Sequence, residues 1–508
     1  MAVSTVYKNI LANYIGAFAT TLTAFFLIPV YISYIGVSAY GIIGFYLTLQ
    51  ALFIFLDLGI GVAINREMAK HFNDKSQLLY LRNLSHSLQI VYWLIGIGLG
   101  LSLFIATPFF AKGWFKSNDI PLDVVKNVFY IFAFTIAVRW PYGMYAAGLR
   151  GMQHQVVLNV YEIFWNLTKS IGSWLVLKYI SPTLVAFLLY QFIITFLQTT
   201  GIIIIFWRYI QLKKARLTFD VKILKNLSRY AAGMGIGIIL INIVTQLDKI
   251  IVSKVADSAK MFGYYTIANN IAILVYSISL PMYMAIFPHF TKQVHENNNS
   301  KLTSEFHYYA KLLSTLLLPF GIIIIFNAPA LLHLWQKNPD IVNNSSAILQ
   351  WLIISTVCSA LMMPVHTLIH AKVRIRFMIY SQLIEIAIMI PLLYFLVIRY
   401  GVLGGAIGMC ILYVGYLLIQ APLIFRTIEL KQLTFEWLFK DILVFLPPLL
   451  IVAGVFKRYL YPYFNTSNYK LILYMALLFF VSYLISFALN RQFLLQFFSK
   501  IKPIVKIK

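Results

Sequence analysis

Gly36-Val-Ser-Ala-Tyr-Gly-Ile-Ile43 follows the first long apolar run of the chain, and Ser258-Ala-Lys-Met-Phe-Gly-Tyr-Tyr265 follows the seventh. Laying Gly41 on Gly263, an offset of 222 residues, also superposes the starts of the two runs. A repeat of this length in apolar sequence reads as a duplicated block of membrane helices. Six runs separate the two copies, so both begin on the same side of the membrane. The repeat is therefore parallel, related by an axis along the membrane normal, an arrangement found in transporters that rock two lobes about a mid-membrane site.

Outward from the repeat, about fourteen runs can cross about 30 Å of hydrocarbon at about 1.5 Å per helical residue. They start with Ile10–Tyr34 and Ile42–Ile64, include Val124–Ala147 as the fourth and Val156–Ile180 as the fifth, and end with Asp441–Tyr459 and Leu471–Leu489. The expected fold is an all-α polytopic membrane protein with two parallel six-helix lobes plus two C-terminal helices. The domains read as an N-lobe at 1–206, a basic cytoplasmic linker at 207–229, a C-lobe at 230–430, and two additional helices with a basic tail at 431–508.

Composition agrees: 61% of the 508 residues are hydrophobic and 11% charged, against about 45–50% and about 25% in soluble domains. The net charge of +25 would suggest a nucleic-acid partner in a soluble protein. Here 27 of the 41 Lys and Arg fall on the side that holds the termini, and ten on the other. That bias puts both termini in the cytoplasm and leaves no case for nucleic acid. The two cysteines, Cys358 and Cys410, lie in apolar runs and form no metal-binding pattern. No phosphate-binding loop, HExxH or Gly-x-Ser-x-Gly pattern is present, so neither a catalytic site nor a cofactor is expected.

Ionisable residues inside spans cost about 2.5–3.5 kcal/mol each on insertion scales, so each asks for a reason. In the fifth span Gln155, Asn159, Glu162, Asn166, Lys169 and Ser173 recur at spacings of 4, 3, 4, 3 and 4. They form one polar stripe, which either lines a cavity or makes a hydrogen-bonded seam between helices. Arg139, deep in the fourth span, offers a planar set of donors suited to phosphate, or else a salt bridge to Glu162. In the seventh span Asn242, Gln246, Lys249 and Ser253 share a face with Asp248 beside it, for ligand binding or a structural Asp248–Lys249 pair. Asp57 and Glu385 are isolated carboxylates in apolar runs, and with Asp248 they are the candidates for coupling to H+ or Na+. His366 and His370 stand one turn apart without a third ligand, so no metal site is assigned.

Several short motifs then carry a resemblance. Asn13-Tyr-Ile-Gly, Pro29-Val-Tyr, Gly36-Val-Ser-Ala-Tyr-Gly, Leu56-Asp-Leu-Gly-Ile-Gly and Gly148-Leu-Arg-Gly-Met-Gln-His, with Gln246-Leu-Asp-Lys-Ile-Ile-Val-Ser and Gly263-Tyr-Tyr-Thr-Ile-Ala, resemble the Wzx-type polysaccharide flippases over roughly residues 5–430. Those flippases belong to the multidrug/oligosaccharidyl-lipid/polysaccharide exporter (MOP) superfamily. The resemblance implies two lobes around a cation-lined cavity and movement of an undecaprenyl-pyrophosphate-linked oligosaccharide from the cytoplasmic to the periplasmic leaflet of a bacterial inner membrane. Arg139, Lys169 and Lys249 are then candidates for the pyrophosphate, with Arg66 and Arg150 near the cytoplasmic entrance. The sugar would follow the stripe of Asn159, Glu162 and Asn166, with Gln246, while the polyprenyl tail stays among membrane lipids. Polysaccharide-assembly proteins are the further partners this implies. The alternatives are a cation-coupled multidrug antiporter, a lipid II flippase and, from a different class, a membrane polysaccharide polymerase or ligase.

Overall fold

The computed structural model describes residues 2–53, 57, 59–72, 74–114, 119–210, 217–256 and 258–490. The chain is helical throughout these, with no strand among the described residues. Nine of the described helices are long and apolar enough to cross a membrane, or ten if the bent pair Ala259–Ala272 and Leu274–His295 is one span. The remaining expected spans fall on helices that are broken or carry charge. The protein is an all-α, multi-pass membrane protein.

It divides into two compact units, Met1–Gly263 and Tyr264–Lys508. In the first, α1 (Ala2–Phe53) holds the first expected span and the start of the second. The junction is Gly36, whose φ of 81° leaves the helical region and suits a residue without Cβ. The second span breaks again before α2 (Ile60–His71), at Gly59 with φ 77°. Then follow α3 (Leu78–Phe109), α4 (Leu122–Arg139), α5 (Tyr142–Gly151), α6 (Gln155–Tyr179), α7 (Leu184–Tyr209) and α8 (Val221–Val255). The fourth span, read from the sequence as unbroken, is interrupted between α4 and α5, where Pro141 has no N–H to continue the ladder.

α8 packs on α1, α2 and α3, so the unit drawn by packing extends past the 207–229 linker at which the repeat divides the chain. α9 (Ala259–Ala272) carries the boundary between the units. The two glycines that define the repeat meet there. A Cβ on Gly41 would lie 2.2 Å from the Ala259 carbonyl oxygen, and one on Gly263 2.4 Å from that of Val37. Neither position has room for a side chain.

The second unit continues with α10 (Leu274–His295), α11 (Asn299–Gln336), α12 (Pro339–Leu361), α13 (Met363–Ala371), α14 (Ile375–Tyr400), α15 (Val402–Gly415), α16 (Ala421–Thr427), α17 (Leu433–Phe435), α18 (Leu446–Val455), α19 (Tyr461–Phe464) and α20 (Asn468–Leu489). The tenth span breaks at Met362, just ahead of Pro364, as the fourth breaks at Pro141. The same turn follows both broken spans. After α5, the Met152 and His154 N–H groups donate to Gly148 and Leu149 around Gln153 at φ 63°; after α13, Lys372 and Arg374 donate to Leu368 and Ile369 around Val373 at φ 55°. The duplication thus extends to backbone detail.

The C-terminal pair of spans is built into this unit through α11. Pro319 cannot donate to the Thr315 carbonyl, which instead accepts from Ser486 Oγ of α20 at 2.9 Å. The neighbouring Leu316 carbonyl accepts from Tyr483 OH at 2.7 Å. Pro329 likewise frees the Ile325 carbonyl, which takes Gln350 Nε2 of α12 at 2.8 Å. Between the two prolines Asn327 leaves helical geometry, and its side chain accepts from Tyr474 OH at 3.1 Å. At the other end of the pair, His307 Nδ1 pairs with the fully buried Asp441 at 2.5 Å. The combined variant Ser486→Ala and Tyr483→Phe should lower stability by about 1–3 kcal/mol for the unsatisfied carbonyl. The check is its unfolding temperature in detergent, and an unchanged value would show that α11 holds its bend without α20.

Candidate functional site

The break in the fourth span leaves Arg139 as the last residue of α4, where the free carbonyls of a helix C-terminus favour a cation. Its guanidinium lies 4.0 Å from the centroid of the Tyr142 ring, at the start of α5. Arg139 Nη1 donates to Gln198 Oε1 of α7 at 3.3 Å, and Lys169 Nζ of α6 donates to the same oxygen at 3.1 Å. Gln198 is 2% exposed, and its main-chain carbonyl accepts from Tyr161 OH at 2.5 Å. Tyr142 OH donates to Glu162 Oε1 at 3.1 Å. The salt bridge from Arg139 to Glu162 that the sequence allows is replaced by Tyr142, which presents its face to one and its hydroxyl to the other. Among the described residues no carboxylate forms an ion pair with Arg139 or Lys169. Two cations converge on one neutral amide.

The stripe on α6 is divided by its neighbours. Lys169 and Ser173 meet α7, the latter accepting from Gln191 Nε2 at 2.8 Å. Glu162 meets α5, Asn159 is half-buried, and Gln155 and Asn166 are exposed. Sequence reading missed Gln198, yet the signal was present: Gln191, Thr195 and Gln198 recur at spacings of 4 and 3 along the sixth span. The polar faces of the fifth and sixth spans are complementary.

A cavity of about 760 Å³ opens beside this cluster, with Gln50, Asp57, Asn65, Tyr92, Arg139 and Arg150 in its wall. Of the sequence candidates it gathers Arg139, Arg150 and Asp57. Lys169, Glu162, Asn159, Asn166, Arg66, Gln246 and Lys249 are not among the lining residues. Asp57 is not the isolated carboxylate its sequence context suggests. Its Oδ2 accepts the Gly61 N–H at 3.0 Å, at the start of α2, and its Oδ1 accepts the hydroxyl of Tyr92. On α8, Lys249 pairs with Asp248 at 3.4 Å and also donates to the Thr245 carbonyl, with Asp248 1% exposed.

In the second unit Glu385 of α14 is also well partnered. Its Oε1 accepts from Ser381 Oγ at 2.5 Å and Gln420 Nε2 at 2.7 Å, and its Oε2 accepts from Tyr416 OH at 2.6 Å. Gln420 Oε1 faces His366 Nε2 at 3.0 Å. Tyr416 and Gln420 open and close a π-helical turn, a distortion that recurs at functional sites. Each half centres a polar cluster on a glutamine of its sixth span.

Residues 6–294, more than half of the chain, match the family described as polysaccharide biosynthesis protein. The chain belongs to that family. Residues 234–395 also match the MatE family, and no curated protein sequence matches. Among solved structures, this member of the polysaccharide biosynthesis family resembles the lipid II flippase MurJ in an inward closed conformation, with a TM-score of 0.72 at 15% identity over 96% of this chain and 100% of that one. It also resembles an inward-facing multidrug resistance MATE transporter of the MOP superfamily (TM-score 0.62, 14% identity, 82% and 96% covered). A third likeness is to a MOP-superfamily transporter from Pyrococcus furiosus, described as having a binding pocket of reverse polarity that suggests a different function (0.53, 14%, 82% and 96%). At these identities the likeness is one of fold. The family is one of polysaccharide biosynthesis and the fold is shared with a flippase and a transporter, which speaks against the polymerase or ligase alternative.

In this polysaccharide biosynthesis protein the Asp57–Tyr92 contact fixes the broken second span beside the cavity. Tyr92→Phe should therefore destabilise the first unit by about 1–3 kcal/mol. A thermal unfolding curve superposable on that of the wild type would refute this role.

Proposed function

We propose that the protein is a Wzx-type flippase, carrying an undecaprenyl-pyrophosphate-linked oligosaccharide from the cytoplasmic to the periplasmic leaflet of the bacterial inner membrane by alternating access, with both termini in the cytoplasm. The observation that carries this reading is the convergence of Arg139 and Lys169 on the Gln198 amide, with Arg139 also in the cavity wall. Cations kept in a membrane interior without a paired carboxylate favour an anionic cargo, and guanidinium and ammonium donors suit the oxygens of a pyrophosphate. The family description, polysaccharide biosynthesis, agrees with a sugar-bearing cargo. A polar head needs a hydrated path through the protein, whereas a polyprenyl tail is at home in lipid, so the protein has only to build a route for the head.

Coupling to H+ or Na+, on this reading, falls to Glu385, because Asp248 is already neutralised by Lys249 and Asp57 caps α2. The donors around Glu385 are hydroxyls and an amide, which can serve a charged or a protonated carboxyl alike. A lipid II flippase is the second reading. It is favoured by the MurJ likeness, which extends over 96% of the chain, and its cargo shares the pyrophosphate. A multidrug antiporter fits less well, since a cationic drug would meet Arg139.

Arg139→Ala and Lys169→Ala should each reduce transfer of lipid-linked sugar about tenfold or more, as expected when a charged hydrogen-bond partner of an anion is removed. Both should still insert in the membrane. Wild-type transfer by both variants would end the anion-site reading. Deleting the gene and identifying by mass spectrometry which polyprenyl-linked species accumulates separates the two flippase readings, and accumulation of none with altered dye efflux would favour the antiporter.

A further inference from the structure

We infer that Gln198 sets the charge selectivity of the site: its neutral amide oxygen gathers Arg139 and Lys169 while leaving their charge available to a phosphate or diphosphate. The inference rests on the anion-site reading above and adds a residue with a defined role to it. Both neighbours of the amide oxygen are donors only, so the orientation of the side chain is dictated by them, and two donors fill its two lone pairs. The residue is buried, and Tyr161 holds its main chain in place. A carboxylate at this position would accept the same two hydrogen bonds but cancel one of the two charges. An apolar residue would keep both charges but let the cations separate, since like charges repel. Only a neutral acceptor does both jobs.

Gln420 of the second half shows the opposite use of the same kind of side chain: its Nε2 donates to Glu385 and Ser381, and its oxygen faces His366. An amide can serve either polarity without adding charge of its own.

The test uses the full chain in lipid nanodiscs, with farnesyl pyrophosphate and inorganic pyrophosphate as calorimetric probes, and the variants Gln198→Glu, Gln198→Met and Arg139→Ala. Affinity should fall in the order wild type, Gln198→Met, Gln198→Glu, with the Glu variant weaker than wild type by about tenfold or more and less sensitive to salt. A purely structural glutamine reverses the order of these two variants, because Glu keeps both hydrogen bonds and Met keeps neither. That reverse order, or wild-type affinity in Gln198→Glu together with loss in Arg139→Ala, overturns the inference alone. No binding of either probe by the wild type, or full binding by Arg139→Ala, overturns the anion-site reading and the inference with it. Should Gln198→Glu fail to fold, Gln198→Met and the too-short Gln198→Asn report on gathering: both should bind several-fold more weakly, and wild-type affinity in both overturns it. Tighter binding of farnesyl pyrophosphate than of inorganic pyrophosphate would mark the ligand as lipid-linked, and equal affinity would mark it as the free anion; either pattern, with the expected order of variants, supports the inference.

Discussion

Hydrocarbon offers no hydrogen-bond partners, so every backbone group that leaves a helix within the membrane must be satisfied by the protein itself. This constraint organises both halves of the molecule. Where Pro319 and Pro329 free carbonyls on α11, hydroxyls of α20 and the amide of Gln350 answer them. Where the second span breaks at Gly59, the Asp57 carboxylate takes an N–H of the new helix. The last two spans lie outside the repeat, yet they supply donors that a bent helix of the repeat requires. Their place in the fold is structural before it is anything else.

The same accounting separates the cations in the spans into two kinds. Lys249 and Asp248, 3.4 Å apart, attract each other by about 5 kcal/mol at an effective dielectric of about 20, which works against the desolvation of both. Among the described residues Arg139 and Lys169 have no such partner and share the dipole of one amide, a much weaker counterweight. Aromatic support beneath Arg139 lessens the deficit without removing it. A charge with its counter-charge built in has little left to offer a ligand. The unpaired cations are where ligand binding has most to gain.

Much of this architecture was legible in the sequence, for a physical reason. Length of apolar run and parallel repeat are properties of single segments, and so were the polar stripe on α6 and the presence of a deep Arg139. What was not legible depends on pairing between segments. Pro141 stood in view, but the run stays apolar across it, so hydropathy registers one unbroken helix where the backbone makes two. Asp57 read as isolated because Tyr92, its partner, lies 35 residues away on another helix. Gln198 carried the same 3–4 spacing as the fifth-span stripe and was overlooked because an amide, unlike a charge, poses no evident problem in a membrane. Its meaning comes from the two cations brought to it by α4 and α6.

The two glutamines show how one kind of side chain can serve opposite chemistries. Gln198 and Gln420 are each surrounded by side chains from neighbouring spans, yet the first faces Arg139 and Lys169 and the second faces Glu385 and His366. Had the hub been a carboxylate in both halves, it would have cancelled a charge in the first and repelled Glu385 in the second. Had it been basic, the converse would hold. A neutral amide with donors on one end and an acceptor on the other serves either surrounding without adding a charge. On the proposed function the two clusters divide the labour: the basic cluster of the first half is suited to the anionic head of the cargo, and the acidic cluster of the second to a coupling ion.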